Sequence, residues 1–325
     1  MSTPLLKRIL FATDFSDDAL RAQEYAMYLA TAWDATIDVL HVIEAPPASS
    51  GETDSILAVE RARGEAGRRL EQVRDFMARS GLQVLVRQVL GNPLVQIGLA
   101  AREREVDLVV LGVQGRTNRL YGLIGATAER VVKESPCPVL AVPGLRAEVD
   151  RPIDTTPHVP IRNILAPLDF SAPSLDAVEY AIQIANGLGA KVILMHVLEP
   201  VCYDLDCGLG VIEQEARKRD HWNQHLVELK EVITSYGLPA EVEISGGIPS
   251  EAILAGVLRH HADLIVMGTH GRRASPERPF GSVAEAVLRR AHCPVLTVKA
   301  PKFEPGHRRV VPQELGLEDV RGVEP

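Results

Sequence analysis

The sequence predicts an α/β protein made of two consecutive doubly wound domains, each a five-stranded, mainly parallel sheet with helices on both faces. Three observations carry that expectation: an internal repeat, a regular alternation of strand-like and helix-like segments, and cores nearly free of aromatics. Ile9-Leu10-Phe11-Ala12-Thr13-Asp14-Phe15-Ser16 returns 155 residues later as Ile164-Leu165-Ala166-Pro167-Leu168-Asp169-Phe170-Ser171. LRAQEYAMYLA at 20–30 returns as LDAVEYAIQIA at 175–185. VDLVVLGVQGR at 106–116 returns as ADLIVMGTHGR at 262–272, and Cys137-Pro138-Val139-Leu140 returns as Cys293-Pro294-Val295-Leu296, both now offset by 156. Matches in one order with a single residue of drift mark a duplicated unit. A chain of 325 residues has room for two domains at roughly 100–200 residues each. Aromatics are only 4%, so the cores rest on Val, Leu, Ile and Ala, the vocabulary of sheets covered on both faces.

The first copy opens with a short apolar run at 8–13 that reads as a strand. Ser16 has the side chain of a helix cap, and Ala19, Ala22, Ala26, Leu29, Ala30 and Trp33 recur after it at helical spacing. A strand at 36–43, a long helix at about 54–80 and a strand at 83–90 follow. Asn92-Pro93 opens the next helix, because Asn caps and Pro suits the first helical position. A strand at 108–111, a helix from Gly125 and a strand at 139–142 complete the copy. The second copy repeats the pattern with strands near 163–167, 191–197, 240–244, 264–267 and 295–298, and a long helix at about 211–236. Strand–helix alternation with short connections calls for right-handed crossovers and a parallel sheet. The domains are therefore expected at 1–143 and 161–300, joined by a proline-rich linker at 144–160 and followed by a loosely held tail at 301–325.

Composition narrows the function classes. A net charge of −8 and a pI near 5.7 weigh against a nucleic-acid binder or a protein that docks on anionic membranes. Four cysteines are too few for a disulfide scaffold and suit a reducing cytoplasm. No segment reaches the ~18 consecutive apolar residues of a membrane span, and the first residues lack the pattern of a signal peptide. A soluble cytoplasmic protein is expected.

Ligands of doubly wound sheets bind outside the carboxyl ends of the strands, where the strand order reverses. With the order 3-2-1-4-5 that crevice lies between the first and fourth strands. The acid ending the first strand, Asp14 or Asp169, falls there. So does a glycine cluster after the fourth strand, which in the second copy is Gly268-Thr269-His270-Gly271, then nine residues, then Gly281-Ser282. Gly268 and Gly271 would permit a tight turn and close approach of a ligand. Gly281-Ser282 would open a helix whose free N–H groups favour an anion. Taken alone, the same glycines also suit plain turns. Neither a P-loop nor a dinucleotide fingerprint is present.

The spacing G-x2-G-x9-G-[ST], the first-strand Asp, His-Val after the second strand and the closing Cys-Pro-Val strand together resemble the universal stress protein family, in a tandem arrangement over roughly 5–143 and 160–300. The resemblance implies flavodoxin-like, HUP-type sheets of order 3-2-1-4-5, ATP as the ligand with magnesium as its companion, a stress-response regulatory role, and homodimers paired through the last strand. Two copies in one chain are able to satisfy that pairing as an intrachain pseudo-dimer and still associate further. Carried onto the second copy, it puts Pro167, Leu168, Asp169 and Val197 at the base and ribose. It puts Gly268, His270, Gly271, Arg272, Gly281, Ser282 and Val283 at the phosphates. In the first copy the weaker counterparts are Thr13, Asp14, Val42, Gly112, Gly115, Arg116, Gly125 and Thr127.

The copies differ within the glycine cluster, where Gln114 stands in place of His270. Ala126 stands where the second copy has Ser282, and a lost hydroxyl contact costs about 0.5–1.5 kcal/mol. Nucleotide is therefore expected mainly in the second domain. No catalytic residue is assigned; slow ATP hydrolysis is the most the family would imply, and a nucleotide-independent scaffold is the alternative. A separate candidate is zinc at Cys202, Cys207, His221 and His225. The thiols have C-x4-C spacing and the imidazoles share one helix face at i, i+4, against the plainer reading of two ordinary cysteines beside an exposed helix.

Overall fold

The computed structural model describes residues 5–44, 52–115, 124–144, 161–199, 209–271, 280–299 and 309–311. The chain divides into two compact units, 1–159 and 160–325. The first contains β1 (Arg8–Ala12), α1 (Asp17–Trp33), β2 (Thr36–Ile43), α2 (Glu52–Arg79), β3 (Val84–Leu90), α3 (Pro93–Glu103), β4 (Leu108–Gly112), α4 (Ala126–Glu134) and β5 (Val139–Val142). The second contains β6 (Asn163–Pro167), α5 (Ala172–Leu188), β7 (Lys191–Leu198), α6 (Leu209–Ser235), β8 (Ala240–Gly246), α7 (Pro249–Arg259), β9 (Leu264–Gly268), α8 (Ser282–Arg290) and β10 (Val295–Val298).

Strands run in the order β3-β2-β1-β4-β5 in the first unit and β8-β7-β6-β9-β10 in the second, and these neighbours pair parallel. This is the expected doubly wound architecture. Its central strands are buried on both faces: Ile9, Leu10, Val109 and Val110 are 0% exposed, as are Ile164, Leu165, Ile265 and Val266. Burial of that kind is why these segments read as continuous apolar runs rather than alternating ones.

Helix ends follow the local chemistry. The Ser16 hydroxyl accepts the Ala19 N–H at 3.3 Å, and the Ser171 hydroxyl accepts the Ser174 N–H at 3.4 Å. Asn92 caps α3 through the Leu94 N–H at 3.0 Å. Helix α5 stops at Gly189 in the left-handed conformation (φ 67°), which costs glycine little. Asp34 does the same job for α1 at φ 53°.

Two departures from expectation matter. Strands β4 and β9 extend through Gly112 and Gly268, so the first glycine of each cluster belongs to a strand and not to a turn. Part of the expected loose tail is also anchored. Arg309 pairs with Asp176 on α5, while the Val310 and Val311 N–H groups donate to the Glu179 carboxylate at 3.0 and 2.9 Å. Glu179 is 0% exposed, and a buried carboxylate gains from such donors. The rest of the linker and tail lies outside the described residues.

Candidate functional site

Both sites start from the turn Asp-Phe-Ser at the end of the first strand of each unit. Phe15 and Phe170 hold φ values of 60° and 61°, a left-handed backbone that costs a bulky residue roughly 1–3 kcal/mol. The flanking side chains hold that conformation in place. Asp14 Oδ1 accepts the Ser16 N–H at 3.0 Å and its hydroxyl at 2.6 Å; Asp169 Oδ1 accepts the same groups of Ser171 at 3.1 and 2.5 Å. The serine hydroxyl thus donates to the aspartate and accepts from the helix, tying strand end to helix start.

The other carboxylate oxygen faces the glycine turn across the crevice. A Cβ placed on Gly115 would stand 3.0 Å from Asp14 Oδ2, and one on Gly271 would stand 2.6 Å from Asp169 Oδ2. At Gly112 and Gly268 a Cβ would meet backbone of the neighbouring helix, Asp18 at 2.8 Å and Pro173 at 2.9 Å. None of the six motif glycines takes a left-handed backbone. For Gly268 the tight-turn reason is corrected, since it ends β9 and needs room for a helix, while a Cβ on Gly271 would crowd the aspartate.

The phosphate end is shaped by the second glycine pair. Gly125 N–H donates to Val113 O and Gly281 N–H to Thr269 O, both at 2.8 Å, which folds the starts of α4 and α8 back over β4 and β9. As N-caps these glycines offer no side-chain acceptor, so the first-turn N–H groups keep their donors for an anion. On the other side of the crevice, His41 Nδ1–H donates to Thr13 O at 2.7 Å and His196 Nδ1–H to Leu168 O at 2.8 Å. These imidazoles brace the ends of β2 and β7.

In the first unit the parts enclose a cavity of about 1000 Å³, at the top of the ~300–1,000 Å³ usual for small-molecule sites. Thr13, Asp14, Val42, Gly112, Gly115, Gly125 and Thr127 line it; Arg116 lies outside the described residues. In the second unit Pro167 ends β6, Leu168 is buried, and Asp169 meets Gly271. Val197 lies in β7, Gly268 ends β9, and Ser282 and Val283 open α8. His270 Nδ1 contacts the Thr269 hydroxyl at 2.8 Å, and Arg272 lies outside the described residues. The His221 and His225 rings touch edge to face at 4.6 Å. Cys202 and Cys207 lie outside the described residues, and among those described no three metal-ligating side chains cluster.

The universal stress protein family model matches this chain twice, at 6–143 and 160–299. The chain belongs to the universal stress protein family. A universal stress protein of Synechocystis is 25% identical over 316 residues, which is 90% of this chain and the whole of that one. A shorter one from Methanocaldococcus jannaschii is 33% identical over 149 residues, 44% of this chain and 85% of its own. The crystal structure of an Archaeoglobus fulgidus universal stress protein superposes with a TM-score of 0.65 at 24% identity, over 90% of this chain and 98% of that one. It shares the fold.

Several lining residues of this universal stress protein lie outside the candidate set read from the sequence. Phe15, His41, Glu65, Ala66 and Arg69 all border the first cavity. The Arg69 guanidinium stands 5.5 Å over the Phe15 ring and pairs with Glu65 at 2.7 Å, while the Phe15 and His41 rings lie 4.5 Å apart. The one readable signal on α2 is small residues one turn apart, Ala62 and Ala66, within an otherwise charged helix face.

Proposed function

We propose that this universal stress protein is an adenine-nucleotide-binding regulatory module that holds ATP at the carboxyl ends of its strands. The observation carrying this reading is the cavity of about 1000 Å³ in the first unit, whose wall gathers the aspartate, strand-end and glycine set that the family resemblance associates with ATP. In this reading the base lies by Phe15 and Val42, the ribose by Asp14, and the phosphates by the first-turn N–H groups of α4 and by Thr127. A helix N-terminus carries partial positive charge and free donors, which suits a polyphosphate. Magnesium would further neutralise those phosphates. Asp169, Gly271, Gly281 and Ser282 repeat the arrangement in the second unit, with the added Ser282 hydroxyl.

Holding is the role these groups support, because each strand-end aspartate already commits one oxygen to the serine two residues on. Cys137 and Cys293 are buried and suit a reducing cytoplasm. Denaturing protein purified without added nucleotide should release an adenine nucleotide identifiable by mass spectrometry, and ATP titration should give heat. No released nucleotide and no heat at millimolar ATP would retire the reading in favour of a nucleotide-independent scaffold. Turnover near 10 per second, a typical metabolic rate, would make the protein an enzyme instead.

A further inference from the structure

We propose that Trp222 closes the base side of the second crevice, so that the first unit is the nucleotide-binding one; this rests on the nucleotide reading above. Helices α2 and α6 correspond at an offset of 156: Leu70 and Met77 are buried under α2 as Leu226 and Ile233 are under α6. At that offset the cavity-lining trio Glu65, Ala66 and Arg69 becomes His221, Trp222 and His225. A methyl group is replaced by an indole at the position that borders the first cavity.

The contacts show where the indole goes. Phe15 and His41 line the first cavity, and their equivalents are Phe170 and His196. The Trp222 ring stacks on Phe170 at 4.7 Å with 25° between planes, and it lies 4.9 Å from the His196 ring. His225 closes the same cluster, 6.0 Å from Phe170 and 5.9 Å from Trp222, with its Nδ1 3.7 Å from Glu228. Four rings thus pack against one another at positions whose equivalents border the first cavity, where the Arg69 guanidinium and not a ring stands over Phe15. Stacking of this kind is favourable beyond the area it buries, so a purine would have to displace one aromatic contact to gain another. The phosphate motif, more complete in the second unit, favours that unit by one hydroxyl; the space for a base favours the first.

Calorimetry with ATP on the full chain tests this. Wild type should bind one ATP per chain, Trp222→Ala two, Ala66→Trp none, and the double variant one. In a Trp33→Phe background, ATP should leave Trp222 emission unchanged, a readout that needs no variant at Trp222 itself. Two sites in wild type, quenching of Trp222 by ATP, or a folded Trp222→Ala protein that still binds one ATP would overturn the assignment while leaving the nucleotide reading intact. Absence of binding in all four proteins would overturn both.

Discussion

At the scale of single residues, the site is shaped by charges and backbone held against their preference. Asp18, at the start of α1, accepts the Gln114 N–H at 2.9 Å. Burial pushes its carboxyl above the ordinary 3.8, with N–H donors from Gln114 and Gly144 and the Arg21 charge acting the other way. A carboxyl with a raised folded pKa destabilises the fold when ionised, and the penalty fades as pH falls from neutrality through the folded pKa toward 3.8. Asp18→Asn, which keeps the acceptor and loses the charge, should remove this contribution. Denaturant melts between pH 7 and pH 4 should then rise less toward acid than those of the wild type; parallel curves would refute the assignment. The aspartates were readable at this scale as strand-end acids. The left-handed Phe15 and Phe170 beside them were not, because nothing in a phenylalanine announces positive φ; only the Asp–Ser bracket forces it.

At the scale of elements, the two copies solve the same packing problem differently. Asp38 on β2 is 0% exposed and bonds the Arg87 guanidinium of β3 in a fork, at 3.0 and 2.7 Å. Its equivalent in β7 is Ile193, also 0% exposed. Removing one member of a buried pair strands the other charge and costs about 3 kcal/mol, whereas replacing the pair by apolar groups is often near neutral. Arg87 keeps 24% of its side chain exposed, so Asp38→Ala should lower stability by about 1.5–3 kcal/mol, and Asp38→Ile with Arg87→Leu should recover most of it, as read by urea midpoints. Equal losses in both variants would show that the ion pair itself is favourable. Strands and helices were legible from apolar runs and caps. The length of β4 and β9 was not, because Gly112 and Gly268 read as turn formers until the backbones of α1 and α5 are seen against them.

At the scale of the whole molecule, each compact unit is bound by contacts distant in sequence. The Asp107 carboxylate accepts the Lys7 and Arg8 N–H groups at 2.8 and 2.9 Å, and Asp263 does the same for Arg162 and Asn163 at 2.9 Å each. The segment 309–311 adds a tie of its own, Val311 to Glu179, across 132 positions. Ending the chain after Arg308 removes an ion pair and the donors to a buried carboxylate. Stability of the second unit should fall by about 1–3 kcal/mol, with the first unit unaffected, measurable by hydrogen exchange resolved along the chain. Unchanged protection of α5 would mean that the segment contributes nothing to stability.

The sequence by itself determined the duplication, the doubly wound fold, the family and the strand-end and glycine positions around the crevice, because each is written in local pattern and spacing. Only the tertiary structure decided how the two crevices differ. That difference rests on Ala66 and Trp222, which lie on long helices far in sequence from Phe15, Phe170, His41 and His196. Spacing along a chain can mark where donors for a phosphate will gather. Whether room remains for a base beside them depends on which side chains from other elements meet there.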